Sequence, residues 1–100
     1  MIALAQALIA AAARLDADAD ELTRLDSLQG DGDLGRTAGL VASALRRALQ
    51  EYPDDSIKLL RACGTEIAAT APSSSGTLIA SAFMAAAKAV SESVDGVVVA

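Results

Sequence analysis

Apolar residues recur at helical spacing along most of the chain; Ala and Leu dominate them, and β-branched residues stay sparse until the last segment. The pattern predicts four helices, over about Ile2 to Leu15 or beyond, Thr37 to Glu51, Ser56 to Ala71 and Thr77 to Val90. A further helical stretch, Ala19 to Leu28, continues or abuts the first. Asp16, Asp18, Asp20 and Glu21 at its start suit a helix N-terminus, where the dipole favours negative charge. Tyr52-Pro53-Asp54-Asp55 stops the second helix, and Asp55 is placed to cap the third. Pro72 and the serines after it separate the third helix from the fourth. There is no internal repeat and no low-complexity tail.

The fourth helix is too apolar for a surface helix. Leu78, Ile79, Ala80, Ala82, Phe83, Met84, Ala85, Ala86, Ala87, Ala89 and Val90 cover nearly every face, interrupted only by Ser81 and Lys88, so burial on most sides is expected. Short partner helices without aromatic bulk cover such a helix with difficulty, which points to an additional layer from a second copy or from further chain. The ending Val94-Asp95-Gly96-Val97-Val98-Val99-Ala100 is consistent with that, since it finishes on an apolar run. The Ala-rich run Ile2 to Ala13 lacks the basic start of a signal peptide and is too short to span a bilayer, so it reads as a buried helix. A secretory reading is the alternative, because small residues before Arg14 resemble a cleavage site.

Composition narrows the chemistry. One hundred residues make one small domain, and a net charge of −5 without any His excludes an imidazole base and the common zinc centres. The 8 Lys and Arg are scattered and aromatic residues make up 2% of the chain, so nucleic acid is not an expected partner. Neither is a membrane. Cys63 stands alone, which rules out a disulfide framework and favours the cytoplasm.

The candidate chemistry lies between the first two helices. In Leu25-Asp26-Ser27-Leu28-Gln29-Gly30-Asp31-Gly32-Asp33-Leu34-Gly35, three carboxylates sit among three glycines. Carboxylates this close repel one another unless a cation or hydrogen-bond donors balance them, and Gly30, Gly32 and Gly35 permit tight turns and close approach to a ligand. The plainer reading is a connector, since Asp and Gly are ordinary turn formers. A calcium hand fails: with Asp31 at loop position one, Gly35 falls at five and Ala42 at twelve, where the bidentate carboxylate belongs. A register beginning at Asp16 fails as well, with Glu21 in place of the turn glycine and Ser27 in place of the closing Glu. A second constellation, Pro72-Ser73-Ser74-Ser75-Gly76-Thr77, brings hydroxyls and free backbone N–H groups to the start of the fourth helix, where phosphate would fit. Its plainer reading is one capping serine and a loop.

Together these two constellations resemble the nucleotide-binding domain of dihydroxyacetone kinases, the L subunit of the phosphotransferase-dependent enzymes, over about Glu21 to Val90. The signature stands here as Leu22-Thr23-Arg24-Leu25-Asp26 through Gly30-Asp31-Gly32-Asp33-Leu34-Gly35, with Ser74-Ser75-Gly76 opening an apolar helix. The resemblance implies an all-α fold of antiparallel helices corresponding to about half of that family's eight-helix barrel. It further implies that Asp26, Asp31 and Asp33 coordinate a pair of Mg2+ ions bridging the phosphates of ADP or ATP. Leu34, Gly35, Arg36 and Thr37 would run along the phosphates and open the second helix, and Ser74, Ser75 and Gly76 would hold them from the other helix end. The implied activity is phosphoryl transfer to dihydroxyacetone or a related small ketose, from ATP or through tightly held ADP and a phosphotransferase-system phosphodonor. In the family a His of a separate domain or subunit binds the ketose; this chain has no His, so such a partner is required.

Leu34 stands where relatives commonly carry His, and Pro72-Ser73 replaces a Gly-Gly pair. The family domain is also about twice as long, so either the chain is a fragment lacking its C-terminal half or it self-associates to rebuild a barrel-like core. The alternative function is a non-catalytic helical assembly module, or an inactive fragment that retains the acidic loop. A fatty-acid kinase nucleotide domain fits less well, since that branch favours Pro-Asp-Gly-Asp-Thr-Gly.

Overall fold

A computed structural model describes the backbone of residues 2–99 and the side chains of residues 3–93. The apolar ending from Val94 to Ala100 therefore lies outside the described side chains. Four helices follow in order: α1 (Ile2–Asp26), α2 (Leu34–Glu51), α3 (Ser56–Thr70) and α4 (Ser74–Val99), with no strand among the described residues. The connections are short, and each helix packs antiparallel on its neighbour in sequence. The fold is all-α, as the sequence pattern and the resemblance both imply.

Three boundaries differ from those read off the sequence. The first helix and the Ala19 to Leu28 stretch are a single α1, so Asp16, Asp18, Asp20 and Glu21 sit inside a helix and do not open one. Three of them are ion-paired there: Asp18 accepts from Arg14 at 2.8 Å, Asp16 pairs with Arg46 of α2 at 2.7 Å, and Glu21 accepts from Arg24. Helix α2 begins three residues earlier than expected, at Leu34, and α4 also begins three residues early, at Ser74. The stops agree with the sequence pattern. Helix α2 ends before Pro53, and Asp55 caps α3 by accepting the Lys58 N–H at 3.0 Å.

The core is built from Leu8 and Ala12 of α1, Val41, Ala42, Ala44, Leu45 and Ala48 of α2, and Leu59, Cys63 and Ile67 of α3, with Ala71 and Ala80 closing it. So many alanines let helix backbones approach closely. The helix enclosed on most sides is α2, with buried residues spread over Ala38, Val41, Ala42, Ala44, Leu45 and Ala48. That corrects the expectation that the N-terminal run is buried, while the burial expected of α4 is not met within this chain and still calls for the additional layer. Helix α4 packs chiefly on α3 and leaves Leu78 73% and Met84 44% exposed, while α1 buries a stripe of Leu8 and Ala12 and leaves Ile9 57% exposed. Low polarity dictates a demand for burial, but α4 finds one main neighbour within this chain. No helix among the described residues is long and apolar enough to cross a membrane.

The antiparallel order gathers the chemistry at one end of the bundle. The C-terminus of α1, the acidic loop, the N-terminus of α2 and the turn from α3 into α4 all lie there.

Candidate metal and phosphate site

The acidic loop grows out of the last turn of α1. The Asp26 carbonyl accepts from the N–H groups of Gln29 at 3.2 Å and Gly30 at 2.6 Å, which curls the chain back over the helix end. Gly32 follows with φ +78, a left-handed conformation that favours glycine, and a Cβ there would meet Ser27 Oγ at 2.7 Å. Asp33 occupies the N-cap position of α2, yet its side chain makes no cap bond. The N–H of Leu34 donates to Asp26 Oδ2 at 3.2 Å, so the carboxylate that ends α1 also caps the first amide of α2. Asp31 Oδ1 accepts a long 3.4 Å bond from the Asp33 N–H.

These constraints bring one carboxylate oxygen each from Asp26, Asp31 and Asp33 within 4.8 Å of one another, with Asp26 half-buried and the other two exposed. The Asp33 pKa is raised from its ordinary value, first by a hydrogen bond shared with the Asp31 carboxylate, then by partial desolvation and by charge repulsion from Asp31 and Asp26. The donor set is all oxygen, without His or Cys, and two of its members spend little of their hydrogen-bonding capacity on the protein. Such a set suits a hard divalent cation. A groove of about 340 Å³ opens beside it, lined by Leu25, Asp26, Leu28, Gln29 and Gly30.

The segments read as phosphate loops are helix N-termini. Leu34, Gly35, Arg36 and Thr37 form the first turn of α2, and Ser74, Ser75 and Gly76 that of α4. Arg36, Ser74 and Ser75 are exposed and Leu34 is half-buried, whereas Gly35, Thr37 and Gly76 are buried. Gly35 serves helix packing: a Cβ there would collide with the Ala19 carbonyl and the Thr23 hydroxyl of α1. Gly76 does the same against the Ala71 carbonyl. Its N–H donates to Ser73 Oγ at 3.0 Å, and the Thr77 N–H donates to the Ser73 carbonyl at 2.8 Å, so Ser73 is the cap of α4. The first two amides of α4, those of Ser74 and Ser75, have no intrahelical acceptor and face outward from the helix end.

Thr37 Oγ1 and Ser73 Oγ lie 3.3 Å apart, which fixes the N-terminus of α2 beside that of α4. The two constellations, about forty residues apart in sequence, are thus adjacent in space.

Residues 28–99 match the family model described as the DAK2 domain. The chain belongs to the DAK2 domain family. Its members are nucleotide-binding, kinase-associated components of dihydroxyacetone-kinase-type enzymes, which bind ADP or ATP and work with a substrate-binding partner. No curated protein and no solved structure gives a significant match. The DAK2 match takes in Asp31, Asp33 and both helix N-termini but starts after Asp26, which joins the cluster through geometry.

Sequence reasoning groups the serines of this DAK2 chain together but does not single out Ser73. The available signal is its spacing, three residues ahead of Gly76 and directly after Pro72, which is a cap position. Thr23, whose hydroxyl Gly35 packs against, carries no such signal because its contact is with another helix.

Proposed function

We propose that residues 1–100 form one helical Mg-nucleotide-binding unit, and that the acidic end of the bundle holds the phosphates of ADP or ATP for transfer to a small ketose. The observation that carries this reading is the convergence of Asp26, Asp31 and Asp33, one oxygen each within 4.8 Å, at a site where two helix N-termini also meet. Asp26, Asp31 and Asp33 would hold Mg2+, which when bound neutralises phosphate charge and orients the transferring group. The chain's own residues supply the rest. Arg36 stands exposed in the first turn of α2, and the Ser74 and Ser75 amides present the positive end of α4 to an anion. None of these groups acts as acid, base or nucleophile. Cys63 is excluded as one, since burial pushes its thiol pKa to about 11.

The ketose itself belongs to a His-bearing kinase subunit or domain, because this chain has no His; the phosphoryl source is ATP or a phosphotransferase-system phosphodonor. The lone buried thiol fits a reducing compartment, and the cytoplasm is the proposed location. The exposed apolar face of α4 supports a further helical layer, supplied by self-association or by a C-terminal half. It is also what favours the second reading, a non-catalytic assembly module.

Calorimetric titration with ADP, with and without Mg2+, separates the two. Mg-dependent binding by the parent that is lost in Asp31→Ala with Asp33→Ala supports the nucleotide site. Absence of binding by a folded, monodisperse parent gives the assembly reading the lead.

A further inference from the structure

Among the described residues, one polar side chain belongs to the buried set: Thr37, 6% exposed, surrounded on its helix by Ala38, Val41 and Ala44. A hydroxyl in such a place costs stability unless it is bonded. Helical threonines commonly satisfy themselves on the carbonyl four residues back. Here the Asp33 carbonyl accepts the Thr37 N–H at 3.0 Å, and the hydroxyl reaches 36 positions along the chain to Ser73 Oγ at 3.3 Å. Asp33 belongs to the carboxylate cluster and Ser73 caps α4, so Thr37 is bonded to both halves of the site.

The hydrogen-bond inventory leaves this contact two directions with different consequences. A serine hydroxyl has one proton and two lone pairs, and Ser73 Oγ already accepts the Gly76 N–H at 3.0 Å. If Ser73 donates to Thr37, its proton is spent inside the protein. If Thr37 donates to Ser73, both Ser73 lone pairs are filled and its proton is free to point out of the helix end, toward an anion beside the Ser74 and Ser75 amides.

We propose that Thr37 is a positioning residue for the nucleotide: by donating to Ser73 Oγ it locks the first turns of α2 and α4 together and turns the Ser73 hydroxyl toward the phosphates. Thr37 itself is buried and acts through Ser73. This proposal rests on the Mg-nucleotide reading of the site. It differs from the role that the family resemblance implies for this position, which places Thr37 along the phosphates.

Titration of Mg-ADP into the parent, Thr37→Val, Thr37→Ser, Ser73→Gly and the Thr37→Val/Ser73→Gly double variant tests it, with the thermal shift produced by Mg2+ alone as the control. Loss of one hydrogen bond predicts that Thr37→Val weakens the Mg-ADP dissociation constant about tenfold, while Thr37→Ser stays near the parent and the Mg2+ shift is unchanged. Gly is tolerated at a cap, so Ser73→Gly removes the hydroxyl with the helix kept, and the double variant is expected to bind no more weakly than Ser73→Gly alone. If Thr37→Val does not fold, Thr37→Ala, which removes the hydroxyl with a good helix former and no added bulk, takes its place in the same cycle. A parent that does not bind Mg-ADP overturns the nucleotide reading and this proposal with it. A parent that binds, with Thr37→Val equal to it or with additive losses in the double variant, overturns the positioning role alone.

Discussion

Asp33 is the member of the carboxylate cluster whose charged form the fold disfavours, chiefly because Asp31 shares a hydrogen bond with it. A folded pKa raised above the unfolded one means that the folded chain holds the proton to higher pH. Asp33 therefore lowers stability as pH rises through its folded pKa, and this penalty is absent below the unfolded value. In the metal-free chain at neutral pH, Asp33→Asn is expected to raise Tm and to remove the loss of stability that sets in as pH rises from the unfolded to the folded pKa of Asp33. The same variant is expected to lose the rise in Tm that Mg2+ gives the parent, because one ligand oxygen has become an amide. Thermal melts from pH 4 to 8, with and without Mg2+, check both; an Asp33→Asn melt lower than the parent's in the absence of metal would show that repulsion does not govern the loop. Asp26, Asp31 and Asp33 are legible in sequence as candidate cation ligands because they cluster around one short glycine-containing loop. The burial of Thr37 is not, since its hydroxyl meets Ser73 36 positions away; the cap at Ser73 is local, three residues ahead of Gly76, and is hidden only among neighbouring serines.

At the scale of elements, two glycines of the same helix behave oppositely. Gly35, in the first turn of α2, abuts the Ala19 carbonyl, and a backbone carbonyl cannot rotate aside as a side chain does. Gly35→Ala is expected to destabilise the chain by about 1–3 kcal/mol, the cost typical of overpacking. A Cβ at Gly39, one turn on, would meet nothing within 4 Å, so Gly39→Ala is expected to stabilise the chain by about 0.5–1 kcal/mol through helix propensity. Urea unfolding followed by circular dichroism measures the pair, and a stable Gly35→Ala would mean that α1 and α2 separate more readily than their packing indicates. The helices are legible from apolar spacing and their stops from Pro53 and Asp55. The starts of α2 and α4 lie three residues ahead of the expected ones, because Gly35 and Gly76 read as loop residues when they are in fact helical glycines selected by close contact.

Across the molecule, the bundle is elongated, 51 × 22 × 19 Å, with a radius of gyration of 14.7 Å against about 13 Å for a compact chain of this length. Two long helices, α1 and α4, flank the core on opposite sides and keep apolar residues on their outer faces. An apolar groove of about 530 Å³ between α3 and α4, lined by Gly64, Ala68, Ala80 and Met84 among others, continues that surface. The parent is expected to bind a hydrophobic dye while folded, and Leu78→Glu with Ala85→Glu to reduce that signal. Both side chains are exposed, so stability should move by no more than about 0.5 kcal/mol. Undiminished dye fluorescence in the variant would move the sticky surface to Ile9, Leu25 and Leu28 on α1 and its loop. Periodicity, proline and local charge act over a few residues, so the all-helical class, the helix stops and the acidic loop with its carboxylates follow from the order of the amino acids alone. Three-dimensional packing decides the rest: α2 and not α4 is enclosed within the chain, Gly35, Thr37 and Gly76 are buried, and the Thr37 and Ser73 hydroxyls meet. Those outcomes depend on which helices meet, and a meeting of helices is a property of pairs of distant residues that no local pattern contains.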